Sequence, residues 1–356
     1  MKDDHLATKD VMVLGAGLMG LSTGFALLQK GASVHICDPY GIAAGSSGGV
    51  VGALSPHMPE IWDAKKDFQF RSLIKSRDFW PEVEQISGQK TGYCRQGRLM
   101  PLINARGLEL GFERVEGAKA LWHGLADWDV IDMPRTGWSV VSPTGKAVFD
   151  TLSAHIHPRL STQALAAAVV ALGGTISTEQ TSAGKIVDAT GWAGLEALSS
   201  EFGYEVGNGL KGQAVLFDFD ASGQPQIFSE GLHFIPHANG TTAVGSTSER
   251  YFDHDYAFAV DEKLDDLIAK VHRIMPDLQQ APILEKWAGV RPRAASLAPL
   301  MDVHPTLKNR FLVNGGFKIG FGMAPLMGEV MADFILDGTD NRIPDEFRFA
   351  ATKKGI

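Results

Sequence analysis

The sequence predicts an α/β fold in which a domain of strand–turn–helix units, assembled from separate stretches of chain, is interleaved with a second, α+β domain. Three observations carry that expectation. The chain opens with a strand, a glycine-rich turn, a helix and a second strand that ends in an acid. Strand-to-turn units of the same style recur in the middle and at the end of the 356 residues. Strand material of antiparallel character lies between them, and no proline-rich linker divides the chain into consecutive units.

The apolar run Val11-Met12-Val13-Leu14 has strand character and enters Gly15, Gly17 and Gly20 at G-x-G-x-x-G spacing, with Leu18 and Met19 between the last two. A helical pattern follows in Leu21, Phe25, Leu27 and Leu28 and stops at Lys30-Gly31, a plausible C-cap. Ser33 to Cys37 form a second strand that runs into Asp38. Each part has a task in holding a dinucleotide. Gly15 permits a tight turn, Gly17 lets backbone approach a pyrophosphate, and Gly20 lets helix and strand pack closely. The helix N-terminus offers free N–H groups and a favourable dipole to the anion. Asp38 stands about 20 residues on, where a carboxylate binds a ribose hydroxyl. The glycines alone are a weak signal. The strand before, the helix after and the acid make the unit an adenine-dinucleotide site.

Gly41 to Gly52 is a run of Gly, Ala, Ser and Val with almost no bulk, as expected of backbone that lies close to something flat. Asp63 to Trp80 has helical periodicity, with Phe68, Leu73 and Phe79 among charges. Residues near 91 to 145 are mixed, with β-like pieces at Arg98–Leu102 and Trp138–Val141. Pro158 to Leu172 reads as an alanine-rich helix ended by Gly173-Gly174, and Lys185 to Gly191 as a short strand running into a Thr-Gly turn. Several strands follow from Lys211 to Val244, then an amphipathic helix at Leu264–Ile274. Phe311-Leu312-Val313 is a strand, Asn314 to Gly322 a glycine-rich turn, and Met323 to Leu336 a helix. The expected nucleotide domain comprises 1–78, 146–206 and 308–356, and the second domain 79–145 and 207–307.

A composition of 44% hydrophobic and 21% charged residues is that of an ordinary globular protein. The net charge of −8 and the absence of a long Lys/Arg run argue against a nucleic-acid partner. No apolar run is long enough for a membrane span. The first residues are not followed by an apolar leader, and a cytoplasmic location is expected. Cys37 and Cys94 are the only cysteines, which leaves neither a disulfide framework nor a C-x-x-C pair, and no metal is expected.

Beyond the opening motif, four stretches resemble the D-amino-acid oxidase and glycine oxidase group of FAD enzymes, with sarcosine oxidase a more distant likeness. They are Asp188-Ala189-Thr190-Gly191-Trp192, Leu210-Lys211-Gly212-Gln213, Trp287-Ala288-Gly289-Val290-Arg291-Pro292, and Asn314 to Pro325. With Gly48–Pro56 they span nearly the whole chain in the family's order. The opening motif suits NAD and FAD enzymes alike; the stretch around Arg291 and the closing glycine-rich turn decide for FAD. The resemblance implies an FAD-binding Rossmann-like domain interleaved with an α+β substrate domain whose sheet is mostly antiparallel.

It also implies roles. Ser46 to Leu54 pass along one face of the isoalloxazine ring, with Ser46, Ser47, Gly48 and Gly49 as cofactor-binding residues. Thr190, Gly191 and Trp192 close the cofactor site near the pyrophosphate or ribityl chain. Gly316, Lys318, Gly320, Gly322 and Met323 form the closing turn and the start of a helix, near Gly322, whose positive end faces the flavin pyrimidine edge. Arg291 forks onto a substrate carboxylate, a contact that guanidinium geometry suits. His233 stands where glycine oxidase has a tyrosine, and Lys318 where it has an arginine, so both are candidates for the catalytic site. His57, His155 and His157 read as structural, and Arg293 as a solvated charge. No cysteine follows Arg291, where sarcosine-oxidase relatives attach flavin, so the FAD is expected to be non-covalent. The family's hairpin before the Thr-Gly turn is nearly absent, because Gly174 reaches Lys185 in a few residues.

The implied activity is oxidation of the C–N bond of a small amino acid or secondary amine: hydride passes from the α-carbon to flavin, and the imine hydrolyses. Oxygen or a quinone takes the electrons, and a homo-oligomer is compatible with the sequence. Two alternatives stand beside it. One is an oxidase of the carboxymethylaminomethyl group of modified tRNA uridine, supported by Gly52–Pro56. The other is a flavin-binding protein whose substrate site has decayed, which the departures at His233 and Lys318 keep open.

Overall fold

The computed structural model describes residues 9–135 and 137–355. The chain begins with β1 (Lys9–Leu14), α1 (Leu18–Gln29), β2 (Val34–Cys37), β3 (Ala53–Leu54) and α2 (Ala64–Ser87). Next come β4 (Arg98–Pro101), α3 (Ala105–Leu121), β5 (Trp128–Asp132), β6 (Lys146–Asp150), β7 (Ala154–His155) and α4 (Pro158–Ala171). They are followed by β8 (Thr175–Ser177), β9 (Ala183–Asp188), α5 (Gly191–Phe202), β10 (Gly207–Phe217), β11 (Gln226–Ser229) and β12 (Leu232–Pro236). The last are β13 (Thr242–Gly245), α6 (Glu262–Ile274), β14 (Ile283–Ala294), β15 (Leu300–Val303), β16 (Arg310–Asn314) and α7 (Gly320–Asp337).

Two large sheets organise these elements. The first runs β15-β16-β9-β1-β2-β8 and is parallel apart from β15, which pairs antiparallel with β16. Its central strand β1 is apolar on both faces, with Val11 and Val13 buried on one and Met12 on the other, as a parallel strand covered by helices must be. Helices α1, α2, α4 and α7 pack with it into one core around Leu21, Phe25, Phe68, Trp80 and Met327. The second sheet runs β14-β10-β13-β12-β11-β4-β6-β5 and is antiparallel apart from the β11–β4 pair. Helix α6 lays Leu264, Leu267, Val271 and Ile274, spaced for one helical face, onto Val215, Phe217 and Phe234 of that sheet. The expected fold class is the observed one.

Several details differ from expectation. Trp138–Val141 forms no strand; it has β-type residues but no partner strand, and the Trp138 Nε1 instead donates to the Pro225 carbonyl at 2.7 Å. Helix α3 was not anticipated, because its glycines at 107, 111 and 117 blur the apolar period. Helix α2 runs on to Ser87, through Pro81, and so crosses the boundary expected at 78. Strand β6 pairs with β4 and β5 in the second sheet, although 146–206 was assigned to the nucleotide domain. Strand β15, expected in the second domain, extends the first sheet. Hydrogen bonding, not chain order, draws these boundaries.

Candidate active site

A cavity of about 980 Å³ opens between the C-terminal ends of β1, β2, β9 and β16 and the wall formed by β10, β12 and β14. Strands β1, β9 and β16 each pass through a short turn into a helix, respectively α1, α5 and α7. The N-caps of these three helices, Gly17, Thr190 and Ile319, make no side-chain capping bond. The other four α-helices are capped by the side chains of Asp63, Asn104, His157 and Asp261. A helix leaves its first amides without intrahelical partners, so an uncapped start suits an anion or a polar ring edge. Gly17, Leu18, Met19, Gly191, Trp192 and Gly320 all line the cavity. Three helix starts without a capping N-cap side chain on one cavity fit a ligand with a diphosphate in the middle and polar groups along its length, as FAD has.

At the nucleotide end, Gly15 takes φ +110°, and a Cβ there would overlap the Ala189 carbonyl of the neighbouring strand end. Gly20 lies behind the wall, where a Cβ would overlap the Gly15 carbonyl. Asp38 lines the cavity, and its Oδ2 accepts the Ala16 N–H at 2.8 Å. The carboxylate therefore holds the glycine turn as well as facing the ligand space. Ser46, Ser47 and Gly49 also line it, and Ser47 Oγ accepts the Leu18 N–H at 3.0 Å. Gly48 does not. It is buried, and its carbonyl accepts from Arg159 Nε at 3.1 Å and Nη2 at 3.0 Å, while Arg159 pairs with Glu285 at 2.8 Å. The segment expected along the flavin is thus pinned from behind.

Thr190, Gly316 and Lys318 join the wall. Helix α7 starts at Gly320, earlier than expected, which carries Gly322 and Met323 away from it. Gly322 packs on Leu73 and Met323 is fully buried, so both serve the core.

The β10–β14 ladder builds the opposite end. Leu210 pairs with Arg291, Gly212 with Gly289 and Ala214 with Trp287. Strand alternation puts Trp287, Gly289 and Arg291 on one face, over Gly212 and Ala214. The two glycines leave room for the large groups to lie flat on the sheet: a Cβ at 212 would overlap the Arg291 guanidinium, and one at 289 the Trp287 ring. On the other face Lys211 Nζ donates to Asp261 at 2.9 Å and Gln213 Nε2 to Glu249 at 3.0 Å, fastening the ladder to the start of α6.

Arg291 donates from Nη1 to the Thr247 carbonyl at 3.3 Å and from Nη2 to Ser246 Oγ at 2.5 Å. Among the described residues it has no carboxylate partner. Burial pulls its pKa down to about 10, opposed by the charge of Glu249, which is itself engaged by Lys263 at 3.0 Å. Lys318 also lines the cavity without an ion pair among the described residues; desolvation and then the Arg291 charge lower its pKa.

His233 reaches the same space from β12. Burial, helped by the charges of Arg98 and Lys318, takes its pKa to about 3, so the ring is neutral. Its tautomer follows from the neighbours. Gln226 Nε2 donates to the Ala154 carbonyl at 2.7 Å, which makes the amide oxygen the atom facing His233 Nδ1 at 3.1 Å. Nδ1 must therefore carry the proton, and Nε2 is left as an acceptor.

Sequence reasoning missed Trp287 and Ser246 as members of this site. Trp287 lay within a quoted motif and its strand alternation with Arg291 was available; nothing in the sequence marked Ser246. Arg293 is half-buried, with its Nε enclosed and unpartnered, and is not the solvated charge expected. His57 Nδ1 is bonded to Gln69, and His157 caps α4, so both are structural.

Residues 10–334 match the profile of the family described as FAD dependent oxidoreductase (DAO). The chain is 26% identical over 367 residues to glycine oxidase of Pseudomonas putida, with 92% of this chain and 94% of that protein covered. It is 25% identical over 377 residues to the bifunctional protein ThiO/ThiG of Trichormus variabilis; the match takes in 98% of this chain but 56% of that protein, so the chain spans about half the length of this relative. Glycine oxidase from Geobacillus kaustophilus has a fold similar to this one at a TM-score of 0.81 and 18% identity, over 96% of this chain and 98% of that one. The family match runs through both sheets and all three uncapped turns of the cavity, and on that ground the chain belongs to the FAD dependent oxidoreductase family.

Proposed function

We propose that the protein oxidises the carbon–nitrogen bond of a small amino acid or secondary amine. The observation that carries this reading is Arg291: a largely desolvated guanidinium on the cavity wall with no carboxylate partner among the described residues. Such a fork suits a substrate carboxylate. Bound FAD supplies the hydride acceptor, with Gly15, Gly17, Asp38, Ser47, Gly191 and Gly316 in place to hold it. The chain's own contribution is orientation and field. Arg291 fixes the carboxylate, and the unprotonated Nε2 of His233 accepts an N–H from the amine, which sets the α-carbon between them. Two cations and a neutral histidine disfavour an ammonium there, so the amine enters neutral after giving its proton to solvent. No side-chain base is required. Loss of hydride leaves an imine, which water converts to a carbonyl compound and a free amine or ammonia. The electrons would pass on to oxygen or a quinone.

An anaerobic screen of amino acids and secondary amines, followed through flavin absorbance, tests the class. Arg291→Ala then tests the contact. Stranding a desolvated carboxylate costs roughly 2–5 kcal/mol, about thirty-fold to several thousand-fold in kcat/KM. Arg291→Lys should recover only part of it. Equal losses on the substrate and on its decarboxylated analogue would remove the carboxylate assignment.

A further inference from the structure

The charges around the cavity do not balance for a monocarboxylic substrate. Its charged lining side chains are Asp38, Arg291 and Lys318. Asp38 stands at the nucleotide end, tied to the Ala16 amide. Among the described residues the substrate end therefore holds two cations and no free acid, since Glu249, the carboxylate felt by Arg291, is held by Lys263 at 3.0 Å. The two cations come from different walls, Arg291 from β14 and Lys318 from the turn ahead of α7. Arg291 already gives one N–H from each terminal nitrogen to Thr247 and Ser246, which leaves three of its five N–H donors, enough for one bidentate carboxylate. Lys318 Nζ has no acceptor among the described residues; its neighbour is the Phe317 ring, 5.6 Å away. A neutral amine adds no charge, so one carboxylate leaves the site with a net positive charge in a partly desolvated space, an unfavourable state.

We propose that the substrate is an amino or imino diacid, whose first carboxylate lies on Arg291 and whose second anionic group lies on Lys318. This rests on the amine-oxidation reading and narrows its substrate class.

The test separates the two. The holoenzyme is titrated at fixed ionic strength with non-oxidisable acids, butyrate against succinate and propionate against malonate, and the visible flavin spectrum reports binding. A diacid should bind about tenfold or more tightly than the monoacid of equal length, the range of one charge-assisted contact. Lys318→Met should bring the ratio of diacid to monoacid affinity to about one, Lys318→Arg should keep the advantage, and Arg291→Ala should weaken both acids. Equal binding of mono- and diacids by the unaltered protein overturns the proposal. So does a Lys318→Met variant that weakens both alike, which would put both cations on one carboxylate, or one that keeps the preference but shifts the flavin potential, which would give Lys318 to the cofactor. Amine oxidation is scored separately by anaerobic bleaching: a diacid preference without bleaching by any amine refutes the activity and not the diacid site.

Discussion

Gly212→Ala is the sharpest perturbation the site offers, because it adds one methyl group whose three nearest atoms all belong to Arg291. A Cβ at that position would overlap Cζ, Nη1 and Nη2 of the guanidinium, well inside the 3.0 Å that real Cβ atoms keep. The residue lies in a regular antiparallel ladder with no positive φ, so the backbone accepts alanine without strain. The guanidinium is the free end of a flexible side chain and must move by about 1 Å, a displacement that costs on the order of a hundredfold in rate when it misplaces a bound substrate. That corresponds to about 2.7 kcal/mol in kcat/KM. Stability should barely change. The assay compares kcat/KM for an accepted amino acid with that for the amine lacking its carboxylate, in the original protein and in Arg291→Ala. The loss should fall on the carboxylated substrate, and Gly212→Ala should add almost nothing once Arg291 is gone. Losses equal for the two substrates, or fully additive in the double variant, would show that Gly212 acts on the fold and not through Arg291.

Three further outcomes follow from the same geometry. Asp38→Ala removes both the ribose ligand and the tether on Ala16, so FAD affinity measured by fluorescence titration should fall by about tenfold to a hundredfold, from 1.5–3 kcal/mol; full retention would dismiss the role. Acid precipitation should release the flavin into the supernatant, because Cys37, the one cysteine lining the cavity, stands at the nucleotide end with its thiol pKa raised by burial; flavin left on the denatured chain would contradict this. Burial lowers His155 to about 4 and His233 and His237 to about 3, below the unfolded value of about 6.5, so the unfolded chain binds protons that the fold excludes. Their contribution is intact above about pH 6.5 and is lost as pH falls towards 4, by about 1.4 kcal/mol per pH unit for each; a melting temperature flat between about pH 6.5 and 4.5 would refute their neutral burial.

The nucleotide half was legible because its constraints are local. Gly15, Gly17 and Gly20 are dictated by a turn that closes within six residues, and Asp38 ends the next strand. The start of α1 was legible too, since Gly17 offers no capping side chain; that of α5 was not, because Thr190 is a residue type that usually caps, and that of α7 was expected near Gly322. Arg291, His233 and Lys318 were found through family resemblance; physics alone offered only unplaced polar residues. The link between Gly212 and Arg291 was hidden because it exists only in the register of β10 on β14, and one step of slippage would turn Arg291 to the opposite face. Gly322 and Met323 were misplaced by a helix boundary, the least reliable feature of any sequence pattern.

The strand order of the first sheet has a consequence for how the protein is made. Strand β1 finds β2 almost at once, but its other neighbour, β9, begins at Ala183, and β16 follows only at Arg310. At typical synthesis rates β1 waits on the order of ten seconds or more with one apolar edge unpaired. Such an edge is a template for pairing with other chains, and contacts so distant in sequence form slowly. The newborn chain therefore passes through a window in which it depends on chaperones or dilution. Flavin cannot shorten that window, because the third helix start of its cradle, at Gly320, is made after both of those strands.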